Sequence, residues 1–403
     1  MSANVLVVHG GGPTAVINAS LYGVVEEAKS SGSIGRVYGA IGGSEGILKE
    51  NFLDLMQYPE EKLSLLLQTP ATAIGSSRYA LKQEDYNAMA GIFRKYGIRY
   101  VLLNGGNGTM DTCGRIFEAC RGEDIYVVGI PKTIDNDIAI TDHTPGYGSA
   151  AKYIGTSVKE IIRDGHSLRY EHGLVTIVEI MGRNAGWLTG AAALAKGEDC
   201  EGPDLIYLPE LVFDVDKFVA KVRKLLEKKY SVVVAVSEGI KTADGKYVCE
   251  LGSNVDFVDA FGHKQLTGTA NYLASLIAGE IGCKTRAVEL STLQRAASHS
   301  ASRVDILEAS QVGGAAVKAG DEGDSGKMVV MLRLSDDPYQ CTTEVKDVHK
   351  IANDERLVPR EWVNKEGTYV TDEFITYVRP LIQGDVSPVM VDGIPRHLYR
   401  PID

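Results

Sequence analysis

The sequence predicts an α/β fold with two doubly wound lobes and a C-terminal extension. The chain has 403 residues, more than the roughly 250–300 over which a single core usually grows. Short apolar runs that end in Gly or Asn alternate with longer amphipathic stretches, which is typical of βαβ units and a parallel sheet. A hydrophobic content of 44% and 44 glycines indicate a globular protein with many tight turns.

The first lobe is predicted from the alternation of apolar runs and amphipathic stretches near the amino terminus. Strands are predicted at residues 4–9, 37–41, 100–103 and 126–130, and helices at residues 18–30 and 111–121. No linker rich in Pro, Gly or Ser follows these elements. The boundary to the second lobe is therefore placed near residues 145–149.

The second lobe is predicted where the same alternation resumes. Strands are predicted at residues 174–180, 205–207 and 231–236, and helices at residues 150–164, 215–229 and 268–282. From Glu308 onward the pattern is polar and irregular, and residues 319–327 are expected to form an exposed acidic loop. The extension therefore carries no predicted secondary structure.

Composition disfavours several classes of partner. Asp and Glu number 53 against 42 Lys and Arg, and the net charge of -11 disfavours binding to nucleic acid or to an anionic membrane surface. The sequence contains no signal-like start and no apolar run of about 18 residues. Six scattered cysteines without CxxC spacing indicate reduced thiols and no zinc site. A cytoplasmic protein is expected.

Four unusual segments follow predicted strands. They are HGGGPTAVIN at residues 9–18, GGNGT at 105–109, PKTIDND at 131–137 and EIMGRNAGWLTG at 179–190. In doubly wound sheets, ligands bind at the carboxyl ends of strands. Glycines allow close backbone approach, and a helix N-terminus favours an anion, so phosphate is the expected ligand. The alternatives are glycine turns that serve packing alone, an Asx turn in PKTIDND and a surface salt bridge in the fourth segment.

PKTIDND holds two carboxylates and an ammonium within seven residues. Keeping Asp135, Asp137 and Lys132 close at a strand end is unfavourable unless a charge or a metal uses them. In an extended segment the two carboxylates would point the same way, whereas a turn can direct both toward one centre. Arg183 in the fourth segment suits bidentate binding of a phosphate or carboxylate.

The order of the motifs resembles the phosphofructokinase family. GGNGT, PKTIDND, MGRNAG, SEG and TRAVELSTLQR follow one another within residues 1–303. Lipid kinases and NAD kinases carry a similar GGDGT but lack PKTIDND. The resemblance implies two Rossmann-like lobes with the active site between them. Residues 1–147 would bind the donor, completed by residues after about 296, and residues 148–295 would bind fructose 6-phosphate. Residues 308–403 form an extension of unassigned role.

The resemblance also implies roles for individual residues. Asp135 would be the general base for the 1-hydroxyl of fructose 6-phosphate, and Asn107 and Asp137 would bind Mg²⁺. Arg78 and Lys132 would assist catalysis at the phosphoryl groups. The residues expected to bind the donor are Gly11, Arg78, Gly106, Asn107, Gly108 and Thr109. Those expected to bind the sugar phosphate are Thr133, Asp135, Met181, Gly182, Arg183, Glu238, Arg286 and Arg295, the last two at its 6-phosphate. A homodimer or homotetramer is expected.

Three positions depart from the family pattern. Asn107 stands where many members have a metal-binding Asp, so it offers a carbonyl oxygen without a charge. Gly173 stands where bacterial ATP-dependent enzymes have an arginine, and Thr292 stands where a substrate-binding His or Tyr is common. The last two weaken the case for phosphate contacts across a subunit interface.

The phosphoryl donor is predicted to be ATP, with pyrophosphate as the alternative. Pyrophosphate-dependent members typically have Asp at the position of Gly108, where it takes the space of a nucleotide α-phosphate. Lys132 occurs in pyrophosphate-dependent enzymes and in an ATP-using branch, so it permits both donors. Two other classes stay open. Asn107 points to a catalytically inactive homologue, but the intact Asp135 and Asp137 argue against one. The lack of G-x-G-x-x-G counts against a nicotinamide-dependent oxidoreductase.

Overall fold

The strands and helices alternate along most of the chain. The computed structural model describes residues 3–252, 266–351 and 354–399. The strands are β1 (Ala3–His9), β2 (Ile34–Ala40), β3 (Phe52–Asp54), β4 (Ile98–Gly105), β5 (Tyr126–Pro131), β6 (Leu174–Ile180), β7 (Leu205–Tyr207), β8 (Ser231–Ser237), β9 (Lys284–Glu289), β10 (Lys327–Asp336), β11 (Tyr339–Asp347), β12 (Met390–Val391) and β13 (Ile394–Pro395). The helices are α1 (Ile17–Ser30), α2 (Gly43–Leu48), α3 (Glu60–Leu63), α4 (Gln83–Lys95), α5 (Asn107–Ala119), α6 (Tyr147–His166), α7 (Trp187–Gly190), α8 (Val215–Leu226), α9 (Thr269–Ile281), α10 (Leu293–Ala296), α11 (Arg303–Asp321) and α12 (Asp372–Val378).

Two separate sheets form the two lobes. The larger sheet has the strand order β11-β10-β5-β4-β1-β2-β3, and its central strands are parallel. The smaller sheet has the order β7-β8-β6-β9, with every pair parallel. The predicted α/β class with two lobes is confirmed. The larger sheet also takes in β10 and β11 from the C-terminal part of the chain, because β10 pairs with β5 in parallel.

Both faces of the larger sheet are covered, as a doubly wound arrangement requires. Val5 and Val7 of β1 belong to the apolar core on one face, together with Leu21 of α1. Leu6 and Val8 belong to the core on the other face, with residues of α4 and α5. Successive residues of a strand point to opposite faces, so a strand buried on both sides is a continuous apolar run. This is why VLVV was recognisable as a strand.

The C-terminal part is more regular than its sequence indicated. The expectation of irregular structure from Glu308 onward is wrong, since α11 runs to Asp321 and the β10–β11 hairpin follows. A Cβ at Gly23 of α1 would overlap the backbone of Ser310, and one at Gly313 would overlap the backbone of Ser20. The two helices therefore pack backbone against backbone through small residues, and such a face lacks the large apolar side chains that reveal a buried helix.

Among the helices of the described residues, none combines the length and the apolar character needed to cross a bilayer.

Candidate active site

Two glycine-rich loops pack against each other at the carboxyl ends of neighbouring strands. β1 ends at His9, which is the register partner of Asn104 in β4. A Cβ at either Gly10 or Gly105 would overlap the side chain of Thr109. Glycine is therefore required at both positions, because Thr109 occupies the space between the loops. This contact brings the HGGG and GGNGT segments together.

The GGNGT loop starts a helix. α5 begins at Asn107, earlier than the predicted residue 111, and Gly106 takes the N-cap position. Gly106 has no side chain with which to bond the first-turn N–H groups, so those donors and the positive end of the helix dipole are suited to an anion. A Cβ at Gly108 would meet nothing within 4 Å. The helix start is thus open at Gly108 and suited to an anion.

The ammonium group of Lys132 lies in the HGGG loop. Its Nζ donates to the carbonyl oxygen of Gly10 at 3.1 Å and to that of Gly12. The side chain is buried. Burial, helped by the charges of Arg295 and Arg78 and opposed by that of Asp135, lowers the pKa of Lys132 to about 8. Three cations, Lys132, Arg295 and Arg78, therefore lie within electrostatic range of one another, with the carboxylates of Asp135 and Asp137 beside them.

Asp135 follows directly from the same segment. Its backbone N–H donates to Thr133 Oγ1 at 3.1 Å, which folds PKTIDND into a turn at the end of β5. Burial raises the pKa of the Asp135 carboxyl, and the positive charge of Lys132 opposes this rise. Burial thus increases the proton affinity of this carboxylate, while the nearby cation favours its ionised form. A carboxylate in such a setting is suited to accept a proton.

Asn107 and Asp137 form a pair of oxygen donors. Asn107 Nδ2 donates to Asp137 Oδ2 at 3.2 Å. Within the described chain, Asn107 Oδ1 is buried and has no hydrogen-bond partner. Burial, together with the charge of Asp135, raises the pKa of Asp137 to about 7. An unpaired carbonyl oxygen beside a carboxylate fits Mg²⁺, whose charge would favour the ionised carboxylate.

The smaller lobe contributes the loop after β6. Met181 N–H donates to Gln294 Oε1 at 3.2 Å, and Gly182 N–H donates to Glu238 Oε1 at 3.3 Å. Gly182 has φ 134°, a backbone conformation that favours glycine. Burial and the charge of Asp135 raise the pKa of Glu238 to about 7. The MGRNAG loop is thereby held against Glu238, within electrostatic range of Asp135.

Arg295 connects the two lobes, whereas Arg286 lies elsewhere. The nearest atom to a Cβ built on Gly12 is Arg295 Nη1, at 3.2 Å. Burial and Arg78 lower the pKa of Arg295, and Asp135 opposes them. Arg286 pairs with Asp164 and sits beside Thr176, four residues and roughly 13 Å before β6 ends. The structure does not bring Arg286 into the cluster around Asp135.

Two groups near the site were missed from the sequence. Arg356 N–H, in the C-terminal extension, donates to the carbonyl oxygen of Asp137 at 2.8 Å, and the neighbouring charge of Glu355 raises the pKa values of Asp135 and Asp137. No motif marks these residues. His9, beneath the glycine loop, has its pKa lowered to about 3 by burial and by Lys132, so it is neutral. Its place directly before three glycines was the only available signal.

Comparison with known proteins identifies the family. A family model described as phosphofructokinase matches residues 4–320. The chain belongs to the phosphofructokinase family. Its fold is also similar to that of a pyrophosphate-dependent phosphofructokinase from Marinobacter aquaeolei, with a TM-score of 0.89, 33% identity, and coverage of 98% of this chain and 96% of the other.

Relatives of this phosphofructokinase bear on the donor. A protein of Halomonas elongata named pyrophosphate--fructose 6-phosphate 1-phosphotransferase is 38% identical over 98% of this chain and 95% of its own length. One of the same name from Xanthomonas campestris is 39% identical over 98% and 96%. These names support the pyrophosphate alternative better than the ATP donor that the sequence favoured, so an empty space at Gly108 is weak evidence for a nucleotide.

Proposed function

We propose that this phosphofructokinase transfers a phosphoryl group from pyrophosphate to the 1-hydroxyl of fructose 6-phosphate. The observation that supports phosphoryl transfer is the buried Lys132 ammonium, held by the Gly10 and Gly12 carbonyls beside Asp135 and Asp137, while the names of the relatives favour pyrophosphate as the donor. A cation fixed next to a general base is suited to a reaction in which one oxygen loses a proton and another gains negative charge. The names of the relatives supply the substrates.

Asp135 accepts the proton of the sugar hydroxyl as that oxygen attacks phosphorus. Thr133, whose Oγ1 accepts a hydrogen bond from the Asp135 backbone N–H, holds the sugar beside the base. Asn107 and Asp137 would hold Mg²⁺, which would supply charge neutralisation for the phosphoryl groups when bound. The metal site carries one formal charge instead of the two that an Asp at position 107 would give. We therefore infer that Lys132 takes a larger share of the charge stabilisation.

Lys132 stabilises the departing orthophosphate. The bond between phosphorus and the bridging oxygen breaks, and the charge that develops on that oxygen faces the ammonium. Gly11 has φ 72°, and the position of a Cβ there is 3.6 Å from Lys132 Nζ, so glycine keeps the loop open beside the amine. Arg78 and the start of α5, from Gly106 to Thr109, hold the remaining phosphate oxygens.

The sugar phosphate is held from the other lobe. Met181, Gly182, Arg183 and Glu238 bind the sugar, and Arg295 binds its 6-phosphate through a guanidinium suited to bidentate contact. Arg286, on the outer strand of its sheet, would reach a sugar phosphate only in a neighbouring subunit. We therefore retain a homodimer or homotetramer as the expected assembly. The cytoplasm remains the expected location, since all six cysteines are free thiols.

The test is the formation of fructose 1,6-bisphosphate from fructose 6-phosphate with Mg-pyrophosphate or MgATP. We expect kcat/KM for pyrophosphate to exceed that for ATP by at least about 10²-fold. Gly108→Asp should leave the pyrophosphate reaction within about threefold and lower residual ATP turnover, because the added carboxylate repels a nucleotide phosphate. Gly108→Ala adds volume without charge and is the matched control.

Three results would overturn this proposal. They are a higher kcat/KM for ATP, no product with either donor, or a loss of pyrophosphate activity in Gly108→Asp that Gly108→Ala does not share. Binding of a nicotinamide cofactor, measured in parallel, would indicate an oxidoreductase instead of a phosphotransferase.

A further inference from the structure

A short segment of the C-terminal extension lies between the catalytic turn and the sugar-binding loop. We call residues 355–358 the strap. On its donor-lobe side, Glu355 forms an antiparallel bridge with Ile138, and Arg356 N–H donates to the carbonyl oxygen of Asp137 at 2.8 Å. Both are backbone contacts, so the strap pairs with the segment that carries Asp135 and Asp137.

On its other side the strap is bonded to the MGRNAG loop and to the helix that follows it. Asn184 Nδ2 donates to both carboxylate oxygens of Glu355, at 3.1 and 3.2 Å. Trp187 Nε1 donates to the carbonyl oxygen of Arg356 at 2.9 Å. The strap thus touches two consecutive parts of the sugar-binding lobe.

The half-buried carboxylate of Glu210 joins the end of the strap to the same loop. Glu210 Oε1 accepts from Gly186 N–H at 2.7 Å and from Val358 N–H at 3.0 Å. One oxygen therefore joins the MGRNAG loop to the last residue of the strap. Because charge-assisted hydrogen bonds are stronger than neutral ones, this end is firmly held.

The side chain of Arg356 fixes the position of the strap. Its guanidinium lies 4.5 Å from the ring centre of Trp187 and 5.1 Å from that of Tyr377. It also donates to Tyr377 Oη at 3.0 Å and to the carbonyl oxygen of Asp142. Cation–π contacts and hydrogen bonds together fix a guanidinium in one orientation.

We propose that the strap is a positioning element that sets the separation between the catalytic turn and the sugar-binding loop, and that Glu355 is a positioning residue acting through Asn184. This inference rests on the proposed function. Phosphoryl transfer depends on placement of the attacking hydroxyl, and a misplacement of about 1 Å can cost roughly 10²-fold in rate. The strap contacts both parts that must be placed: the turn with the base and the loop that holds the sugar.

The Glu355–Asn184 pair contributes to placement more than to stability. Both side chains are exposed. Exposed polar pairs stabilise a fold by at most about 1 kcal/mol. Removing the Glu355 carboxylate should therefore leave the melting temperature nearly unchanged. The MGRNAG loop, however, should no longer be held at a fixed position relative to Asp135. A rate effect without a stability effect is the expected signature.

The experiment is a double-mutant cycle on the full-length enzyme with fructose 6-phosphate and Mg-pyrophosphate. Glu355→Ala and Asn184→Ala should each lower kcat/KM for the sugar phosphate by about threefold to fivefold, the most that an interaction of about 1 kcal/mol can supply, and the double variant should be no slower than either single one. The KM for pyrophosphate should stay within about twofold, because the donor is bound in the other lobe. Glu361→Ala, at an exposed glutamate of the same extension, is the matched control.

Glu355→Gln separates positioning from charge. It keeps an acceptor for Asn184 Nδ2, so it should recover most of the rate that Glu355→Ala loses. Additive single effects, a Gln variant as slow as the Ala variant, or unchanged sugar kinetics in Glu355→Ala would overturn the positioning role. A wild-type enzyme that forms no product overturns the proposed function instead, and is recognised before any variant is made.

Discussion

Replacing Lys132 by Met tests the electrostatic basis of the proposed reaction. The Met side chain has a similar length and no charge, so it removes the ammonium while the cavity stays filled. In the wild type that ammonium is buried, bonded to the Gly10 and Gly12 carbonyls, and crowded by Arg295 and Arg78. Its protonated form is therefore less favoured than that of a free lysine, although it still predominates below about pH 8.

Keeping Lys132 protonated in this buried site has a free-energy cost. The fall from 10.5 to about 8 corresponds to about 3 kcal/mol against the charged form, at 1.36 kcal/mol for each pKa unit. A bound phosphate donor supplies negative charge and offsets this cost. The stabilisation of a developing anion by one fixed donor is worth ~10²–10³-fold in rate. We expect kcat of Lys132→Met to be lower than that of the wild type by about 10²–10³-fold.

The pH dependence gives a second, independent readout. Only protonated Lys132 stabilises the leaving group, so kcat/KM of the wild type should fall as the pH rises through about 8. With donor bound the ammonium is favoured, and the alkaline limb of kcat should therefore lie at higher pH. Product formation with Mg-pyrophosphate from pH 6 to 10 measures both limbs. Lys62→Met, at an exposed lysine of the same lobe, should behave like the wild type. A Lys132→Met enzyme that stays within about 10-fold of the wild type, or that keeps the limb near pH 8, would refute the assignment.

Three further perturbations probe other parts of the molecule. Asp135→Ser should lower kcat by more than ~10²-fold while binding of fructose 6-phosphate, measured by calorimetry, stays nearly intact; a smaller loss contradicts the general-base role. Arg295→Ala should raise the KM for fructose 6-phosphate far more than it lowers kcat, and an unchanged KM would mean that the 6-phosphate is held elsewhere. Burial alone would lower the pKa of His143, but Glu308 and Asp142, bonded to its two nitrogens at 2.7 and 2.8 Å, raise it to about 9. Protonated His143 therefore stabilises the fold fully below pH 6.5, and this stabilisation is lost as the pH rises through about 9. The melting temperatures of the wild type and of His143→Gln should differ at low pH and converge as the pH rises through about 9.

The parts of the site that were recognisable in the sequence are those whose chemistry is local. Three glycines around a helix start and two carboxylates after a strand each lie within one short segment of the chain, so their patterns are visible in the sequence alone. Gly106 and Asp135 belong to this class. Their relation to each other, through neighbouring strands of one sheet, also follows from the βαβ alternation.

The parts that escaped the sequence depend on distant contacts. Glu355 reaches the catalytic turn only because β10 and β11 return the chain to the larger sheet, and no residue near it carries a recognisable pattern. Arg286 belongs to a family motif, yet its position along β9 directs it toward Asp164. Helix α11 was hidden because its contact with α1 uses glycines, so the usual apolar signal of burial is missing.

The backbone contact between α1 and α11 has a consequence for biosynthesis. The groove of α1 at Gly23 stays uncovered until Gly313 has been made, and the edge of β5 stays unpaired until β10 follows. The smaller sheet, from β6 to β9, is complete before either of them. On the ribosome, the lobe that is translated first must therefore finish folding last, around a neighbour that is already formed, and a chain released after Arg295 would expose a bare sheet edge to other nascent chains.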